Sequence, residues 1–441
     1  MLKSIESTLK RGLSSVYFIE KITIPLLCIL LLLTGCTSTK ERIARSITGW
    51  QSVENTENYF SGILIIDPQT RDTLYSDNAK KYFTPASNTK IFTLYASLKL
   101  LPEKIPALKY ISRNDTLYFE GTGDPTLLHY YFQNTDVIDF LKDKKNLALH
   151  LNNFEDAKLG PGWSWDDYHY YYQPERGSLP LYGNVVTAFN LPEKNVTPPY
   201  FKDSIVDLNF GINREAEKNM FYYSSRRRDT TEIPFRTDSA LTRKLLEEVL
   251  SKKIRLVNKM PDGEKKLIFS APTDSVLKRM MQESDNFLAE QLLILGASTL
   301  SDTLNSGTTR NHVLDSLLQD LKQQPRWVDG SGLSRYNLFT PESMVYVLHK
   351  MYREIERERL FNFFPAGGIS GTLENWYDGG PKPYIYAKSG SLSNNYCLSG
   401  YLITKSGKIL IFSFMNNHFR QSSSEVKKKM QQVLEMVRDT Y

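Results

Sequence analysis

The sequence is poor in cysteine, has no hydrophobic run long enough to span a membrane, and lacks the common histidine motifs of hydrolases. Only three of the 441 residues are cysteine, and Cys397 lies far from the other two, so no internal disulfide is predicted. The longest apolar run, at residues 22–33, is too short to cross roughly 30 Å of hydrocarbon as a helix. The six histidines are scattered, and neither Gly-x-Ser-x-Gly nor His-Glu-x-x-His occurs. The sequence therefore favours neither a histidine-based triad nor a zinc peptidase, and it predicts no metal or other cofactor.

Length and charge limit the possible classes of protein. A chain of 441 residues with 41% hydrophobic residues can form one large core and a smaller satellite domain. The formal net charge of +6 is small for this length, and the basic residues form no long block. Such a mild excess suits work near an anionic surface but does not indicate nucleic-acid binding, which usually needs a concentrated basic patch.

The N-terminus has the layout of a secretory signal. Basic residues precede the apolar run at 22–33, which ends in Leu-Thr-Gly-Cys at 33–36. This tetrapeptide resembles a bacterial lipobox, which implies that Cys36 becomes the lipidated first residue of an exported, envelope-anchored protein. Residues 37–55 are then expected to be a polar tether. The alternative is an ordinary cleaved signal in which Cys36 is incidental.

The apolar periodicity predicts an α+β fold with an insertion. Strands at 61–67 and 72–76 and a helix at 90–101 come first, and helical spacing returns at 273–295. Between them, residues 102–270 read as a mainly β insertion of short strands and aromatic loops. The remaining predicted elements are helices at 311–322, 341–356 and 424–438 and strands at 384–388, 396–404 and 409–415. The pattern predicts an antiparallel sheet flanked by helices, with a helical block between its halves.

Ser87 and Lys90 form a candidate nucleophile and base. They are three positions apart at the predicted start of the helix at 90–101, so their side chains share one helix face. A lysine in this position can act as a base if burial and neighbouring cations lower its pKa. The helix N-terminus also favours negative charge developing at Ser87. Ser-x-x-Lys alone is weak evidence, because it occurs elsewhere in the chain.

Two further motifs follow in a fixed order and strengthen the assignment. Ser-Asp-Asn at 284–286 interrupts an apolar helical pattern, and Lys-Ser-Gly at 388–390 ends a predicted strand. A second Lys-Ser-Gly, at 405–407, falls between two strands and is typical of a plain hairpin turn. We therefore assign the third motif to Lys388 and not to Lys405.

The three motifs together resemble those of penicillin-binding proteins and serine β-lactamases. The resemblance is closest to class C low-molecular-mass penicillin-binding proteins, the D-alanyl-D-alanine carboxypeptidase/endopeptidase family, because Ser87 and Ser284 are 197 positions apart, which leaves room for that class's large insertion. It implies a penicillin-binding domain made of residues 56–101 and 271–441, with accessory domains at 102–270. Further segments that resemble the family lie at 121–127, 162–167, 329–334 and 371–373.

The resemblance also implies roles for the motif residues. Ser87 would attack the D-Ala-D-Ala carbonyl and Lys90 would accept its proton. Ser284 would relay a proton between Lys90 and the leaving amine nitrogen. Asn286 would hold the substrate's backbone amide and help to fix Lys90. Water would then release the acyl-enzyme.

Substrate binding is expected at the third motif and in an aromatic loop. Lys388, Ser389, Gly390 and Ser391 would bind the terminal carboxylate, and the backbone N–H of Ser391 would complete the oxyanion hole. Asp167, in the Trp-rich loop, is our candidate for binding the distal ammonium of a diamino acid in the stem peptide. The alternative is that Asp167 caps a turn.

The expected partners are therefore peptidoglycan stem peptides and cross-links, β-lactams as covalent inhibitors, and a membrane reached through the lipid anchor. Two rival functions remain on the sequence alone. One is a β-lactamase or esterase of the same fold, in which water attacks the acyl-enzyme quickly. The other is a non-catalytic wall-binding lipoprotein. The sequence leaves open the balance between carboxypeptidase, endopeptidase and transpeptidase activity.

Overall fold

The computed structural model describes residues 39–53, 59–189, 195–224, 226–227 and 229–441. The signal and the lipidation candidate Cys36 lie outside the described residues. Among the residues described, no helix combines the length and apolarity needed to cross a bilayer.

The elements before and within the predicted insertion are, in chain order, α1 (Thr39–Val53), β1 (Phe60–Ile66), β2 (Thr73–Asp77), α2 (Lys90–Leu100), β3 (Lys104–Arg113), β4 (Thr116–Gly121), α3 (Asp136–Lys142), β5 (Asn146–His150), β6 (Val185–Phe189), β7 (Asn195–Thr197), β8 (Ile205–Val206), β9 (Phe221–Tyr222), β10 (Thr231–Pro234), α4 (Ser239–Leu250), β11 (Ile254–Val257) and β12 (Lys266–Pro272). The elements after it are α5 (Thr273–Gln282), α6 (Asn286–Leu300), α7 (Ser306–His312), α8 (Pro341–Glu354), α9 (Arg357–Phe363), β13 (Ile385–Leu392), β14 (Asn395–Ile403), β15 (Ile409–Asn417) and α10 (Ser423–Thr440).

The central sheet joins the two ends of the chain. Its strand order is β13-β14-β15-β1-β2, and each neighbouring pair is antiparallel. Strand β1 is buried on both faces: Ile63 and Ile65 pack with α10, whereas Leu64 packs with the helical block that contains α2 and α6. Successive side chains of a strand point to opposite faces, which explains why β1 is continuously apolar. The predicted α+β fold is therefore confirmed.

Residues 39–53 differ from the expected polar tether. They form helix α1, which packs against α10 and β2. Ile43 and Ile47 are fully buried in the core beside α10. These residues are four apart and therefore lie on one helix face, which explains why a mostly polar segment docks instead of remaining extended.

The insertion has a hydrophobic core of its own. Its buried members all come from residues 107–254. The main sheet has the order β11-β5-β4-β3-β12, in which β5 pairs in parallel with both β4 and β11. Helices α3 and α4 contribute to this core, so the segment contains more helix than the mainly β insertion expected from its sequence.

Candidate active site

Ser87 lies in a tight turn that is fastened to the central sheet. The turn is the 3₁₀ helix Ala86–Thr89, directly before α2. Asn88 is buried and its Nδ2 donates to the carbonyl oxygen of Lys388 at 2.9 Å. Ala86 has a φ of 48°, a left-handed conformation that costs about 1–3 kcal/mol in a non-glycine residue. The surrounding contacts therefore hold the residue before the candidate nucleophile in a strained geometry beside β13.

Lys90 is held by three oxygen atoms. Its Nζ lies 3.0 Å from Ser87 Oγ, 2.7 Å from Asn286 Oδ1 and 2.8 Å from the carbonyl oxygen of Ser331. The side chain is completely buried, and desolvation lowers the pKa of the Lys90 ammonium to about 8, against the pull of nearby carboxylates. A neutral amine is therefore accessible near physiological pH, within hydrogen-bond reach of the Ser87 hydroxyl.

The second motif forms the break between α5 and α6. Asp285 caps α6, because its side chain accepts the backbone N–H of Leu288 at 3.0 Å. Ser284 has a φ of 57°, so the chain turns sharply before the cap. Asn286 is the first residue of α6, and its Nδ2 donates to the carbonyl oxygen of Tyr172 at 3.1 Å. The break therefore directs Ser284 and Asn286 toward the cleft.

Lys388 lies in β13 and contacts the second motif. Its Nζ donates to Ser284 Oγ at 3.0 Å and to the carbonyl oxygen of Ser389 at 2.8 Å. Desolvation, followed by the charge of Lys90, lowers the pKa of Lys388 well below its ordinary value. The alternative Lys405 is largely exposed and pairs with Asp439 at 2.9 Å. Lys388 therefore contacts the second motif, whereas Lys405 pairs with a carboxylate at the surface.

The rest of the third motif lies along the edge of the cleft. Ser389 Oγ donates to Thr372 Oγ1 at 2.7 Å, and Ser391 lines the cleft. A Cβ on Gly390 would lie 2.5 Å from the carbonyl oxygen of Pro85, so only glycine allows β13 to approach the nucleophile turn this closely. Thr372 belongs to the segment 371–373, for which the sequence indicated only a resemblance to the family. Its hydroxyl is an additional candidate contact for substrate.

The cleft has a volume of about 1010 Å³, and Ser87, Ser284, Asn286 and Ser391 all line it. Asp167 also lines it, from a short 3₁₀ helix that includes the exposed Trp165 at its start.

Asp167 already has a partner within the described residues. Burial raises the pKa of Tyr172, and so do the charge of Asp167 and a hydrogen bond to it. The Asp167 carboxylate therefore reaches the cleft while contacting a tyrosine hydroxyl.

Behind Lys90 lies a buried series of ion pairs that the sequence analysis did not predict. Ser331, whose carbonyl accepts from Lys90, donates its own N–H to Glu290 Oε1 at 2.8 Å. Glu290 Oε2 pairs with Arg176 Nη1 at 3.3 Å, and Arg176 Nη2 pairs with Asp156 Oδ1 at 3.1 Å. Arg176 and Glu290 are both about 1% exposed. The available signal in the sequence was a glutamate within the mostly apolar helix α6.

Asp329 shapes the loop that presents the Ser331 carbonyl. Its carboxylate accepts the backbone N–H groups of Gly332 at 2.8 Å and Ser334 at 2.7 Å. It also accepts from Trp163 Nε1 at 2.9 Å, which ties the loop to the insertion. The loop geometry is therefore fixed by a buried acceptor rather than by the serines themselves.

Comparison with known proteins identifies the family. The family model described as "D-Ala-D-Ala carboxypeptidase 3 (S13) family" matches residues 48–203 and 225–438. The D-alanyl-D-alanine carboxypeptidase DacB of Haemophilus influenzae is 31% identical over 180 residues, which cover 39% of this chain and 37% of that protein. The D-alanyl-D-alanine carboxypeptidase of Actinomadura sp. is 25% identical over 427 residues, which cover 82% of this chain and 78% of that protein.

Comparison with solved structures gives the same fold. The crystal structure of penicillin binding protein 4 (dacB) from Haemophilus influenzae superposes with a TM-score of 0.68 at 20% identity, covering 88% of this chain and 98% of that chain. The predicted resemblance to low-molecular-mass penicillin-binding proteins is confirmed, and the chain belongs to the D-Ala-D-Ala carboxypeptidase 3 (S13) family.

Proposed function

We propose that the protein is a serine-type D-Ala-D-Ala carboxypeptidase/endopeptidase that acts on peptidoglycan through an acyl-enzyme on Ser87 and is acylated by β-lactams. One observation carries the proposal. The Nζ atom of Lys90 is fully buried, has a pKa lowered to about 8, and lies 3.0 Å from Ser87 Oγ. A serine hydroxyl in contact with a partly deprotonated amine is an activated nucleophile.

Acylation then proceeds through Ser87, Lys90 and Ser284. Ser87 Oγ attacks the carbonyl carbon of the penultimate D-Ala while its proton passes to the neutral amine of Lys90. The carbon–nitrogen bond breaks, and the leaving amine receives a proton through Ser284. Asn286 orients Lys90 through Oδ1 and offers its amide group to the substrate backbone. Water finally hydrolyses the ester and regenerates Ser87.

The third motif would hold the leaving residue. Lys388 supplies positive potential for the substrate carboxylate, and the hydroxyls of Ser389 and Ser391 donate to it. Gly390 allows the strand to lie against the nucleophile turn, so the carboxylate site and Ser87 remain close. The backbone N–H groups of Ser87 and Ser391 would stabilise the oxyanion, and losing one such donor typically costs about 2.7–4 kcal/mol of barrier.

The decisive experiment is covalent labelling with a fluorescent penicillin. Ser87→Ala should abolish labelling while its melting temperature stays close to that of the wild type, because the substitution removes one hydroxyl at a partly exposed site. Persistent labelling of the variant would refute the assignment of Ser87. A wild-type adduct that decays within seconds would favour the β-lactamase rival, and a wild-type chain that forms no adduct would favour the non-catalytic one.

Asp167 is proposed to bind the distal ammonium of a diamino acid in the stem peptide, since its carboxylate reaches the cleft beside tyrosine rings. Asp167→Ala should raise KM for stem peptides with a free ammonium more than for acylated ones. Asp166→Ala is the matched control, because that neighbouring carboxylate bonds to Ser164 instead. Equal effects of Asp167→Ala on both peptides would leave Asp167 a purely structural residue.

The cell-wall carboxypeptidases among the relatives support a location in the bacterial envelope. We further propose that the chain is exported and anchored through a lipid on Cys36. Metabolic labelling with a radioactive fatty acid should mark the wild-type protein and not Cys36→Ser. Equal labelling of both would overturn the anchor.

A further inference from the structure

A lipid on Cys36 would lie very close to the folded protein. Helix α1 begins at Thr39, three positions after Cys36. Three residues span at most about 11 Å. Helix α1 is itself docked, because Ile43 and Ile47 are fully buried in the core beside α10. The lipid would therefore bring the start of α1, and the body to which it is fixed, up to the membrane.

Three elements meet around the start of α1. Arg42, in its first turn, donates from Nη2 to the carbonyl oxygen of Thr440, at the end of α10, at 3.4 Å. The turn between β14 and β15 packs against the same end of α10, because the backbone N–H of Lys405 donates to the carbonyl oxygen of Arg438 at 3.0 Å. The start of α1, the β14–β15 turn and the last turn of α10 therefore form one continuous surface.

This surface, which we call the anchor surface, is basic. Its six basic side chains outnumber its two acidic ones, Glu41 and Asp439. Asp439 pairs with two of the basic side chains. The adjacent turn between β1 and β2 adds Arg71 and Asp72, whose charges cancel. Five of the six basic residues are exposed, so the positive charge faces solvent. The six that define the anchor surface are Lys40, Arg42, Arg45, Lys405, Lys408 and Arg438.

The short connection to Cys36 makes this charge effective at a membrane. Anionic headgroups attract a basic surface only over about one Debye length, which is about 10 Å at 0.1 M salt. The connection of at most about 11 Å keeps the anchor surface near that range. The flexible tether expected at 37–55 would instead have an end-to-end distance of about 25 Å, which would let the protein move beyond the attraction.

The catalytic cleft lies away from the anchor surface. Ser391, which lines the cleft, is opposite Tyr396 in the antiparallel pair β13–β14. The β14–β15 turn starts at Thr404, eight residues further along the chain. A strand rises about 3.3 Å per residue, so the turn is about 26 Å from this part of the cleft. A membrane on the anchor surface would therefore leave the cleft open to substrate.

From these observations we infer that the anchor surface docks on the headgroups of an anionic lipid membrane and holds the protein in one orientation, with the cleft away from the lipid. The inference rests on the lipid anchor proposed above, because the short connection from Cys36 is what brings this surface to the bilayer.

The first experiment measures which end of the protein lies at the membrane. The lipidated full chain is placed in vesicles of phosphatidylcholine with or without phosphatidylglycerol, together with a lipid that carries a nitroxide quencher on its headgroup. A fluorescent label is attached at Ser406→Cys, in the β14–β15 turn, or at the control Ser424→Cys, in the first turn of α10. Both positions are exposed, whereas Cys397 is buried.

The two labels differ in their distance from the anchor surface. Ser406 Oγ donates to the carbonyl oxygen of Tyr441, directly after the end of α10, whereas Ser424 lies at the other end of this helix of 18 residues, about 27 Å away. With phosphatidylglycerol present, the label at 406 should be quenched at least twofold more strongly than the label at 424. Equal quenching, or stronger quenching at 424, would overturn the inference.

Salt should weaken the docking without releasing the lipid. Raising the salt concentration from 0.1 M to 1 M shortens the Debye length from about 10 Å to 3 Å. The excess quenching at 406 should then fall to less than half, while the protein still floats with the vesicles. Excess quenching that depends neither on salt nor on phosphatidylglycerol would contradict docking through charge.

The second experiment reverses single charges. Arg45→Glu, in α1, and Lys408→Glu, in the β14–β15 turn, should each reduce the excess quenching at 406 to less than half of its value in the wild-type background. Lys428→Glu, at an exposed position in the first half of α10, is the matched control and should leave it unchanged. All three variants should keep the wild-type rate of penicillin acylation. If Arg45→Glu and Lys408→Glu leave the quenching unchanged but weaken binding to purified cell wall, the partner is an anionic wall polymer and membrane docking is wrong.

The outcomes separate this inference from the proposed function. If the protein floats with the vesicles but the two labels are quenched alike, the inference falls and the anchor stands. If Cys36 carries no lipid, the anchor and the inference fall together, whereas penicillin labelling of Ser87 still tests the proposed chemistry.

Discussion

Replacing Lys90 by methionine should remove acylation and also change how the stability of the protein depends on pH. Burial lowers the pKa of Lys90 from 10.5 to about 8. That difference corresponds to about 3 kcal/mol of folding free energy lost in keeping the ammonium charged inside the protein. Methionine has a similar length and carries no charge, so Lys90→Met avoids this cost but also loses three hydrogen bonds, worth about 1 kcal/mol each. The two effects nearly cancel at neutral pH.

The stabilities of the wild type and Lys90→Met nevertheless differ in how they depend on pH. Below pH 8 both the folded and the unfolded wild-type chain hold the Lys90 proton, and the cost of burial is complete. Between pH 8 and 10.5 the unfolded chain still holds the proton and the folded chain does not, so wild-type stability rises with pH. Lys90→Met lacks this rise. The stability of the variant relative to the wild type should therefore fall by about 3 kcal/mol from pH 7.5 to pH 10.5.

The assay is urea unfolding of both proteins, followed by tryptophan fluorescence at several pH values across this interval. Groups without an interaction with Lys90 titrate alike in both proteins and cancel in the difference, whereas Lys388, whose pKa the charge of Lys90 lowers, does not cancel. Lys405→Met, at an exposed turn, controls for the loss of a positive charge. A difference between Lys90→Met and the wild type that stays flat between pH 8 and 10.5 would mean that Lys90 titrates normally, and it could then not be the base near neutral pH.

Two further variants test the surroundings of the base. In Glu290→Gln, the rate of penicillin acylation should begin to rise at a lower pH than in the wild type, because the carboxylate of Glu290 raises the pKa of Lys90 and the amide does not. An unchanged midpoint in the pH profile would contradict this. Gly332→Ala should slow acylation sharply, because its Cβ would lie 1.9 Å from the carbonyl oxygen of Ala86. Gly407→Ala is the control: Gly407 has the same φ of 84° but open space around it, so this variant should leave the acylation rate unchanged. Equal acylation rates in the two glycine variants would show that the close approach does not matter.

The contact between Ser87 and Lys90 was predictable because local rules determine it. Lys90 follows Ser87 by three residues at a helix start, which is enough to bring the two side chains together. The break at 284–286 was visible because Asp285 is a preferred helix cap inside an otherwise apolar pattern. In contrast, the helix predicted at 311–322 is displaced: α7 runs from Ser306 to His312 and begins where the side chain of Asn305 accepts the N–H of Gly307 at 2.8 Å.

The environment of the reacting atoms was not predictable. Ser331 contacts Lys90 through a backbone carbonyl, and every residue has one, so no side-chain pattern marks it. Arg176 and Glu290 are 114 positions apart and meet only because the insertion folds back on α6. Helix α1 was missed because a composition rich in polar residues hid two isoleucines at helical spacing, Ile43 and Ile47.

These contacts couple the insertion to the candidate catalytic residues. Asn286 Oδ1 accepts from Lys90, and its Nδ2 donates to the carbonyl of Tyr172 in the insertion. If that carbonyl were absent, the amide could rotate and turn its N–H groups toward the ammonium, which would remove an acceptor from the base. Arg176, also from the insertion, neutralises Glu290, whose carboxylate holds the loop that supplies the third acceptor. Because two of the three oxygens around Lys90 are positioned from the insertion, deleting it should impair the base even if the remaining chain folds.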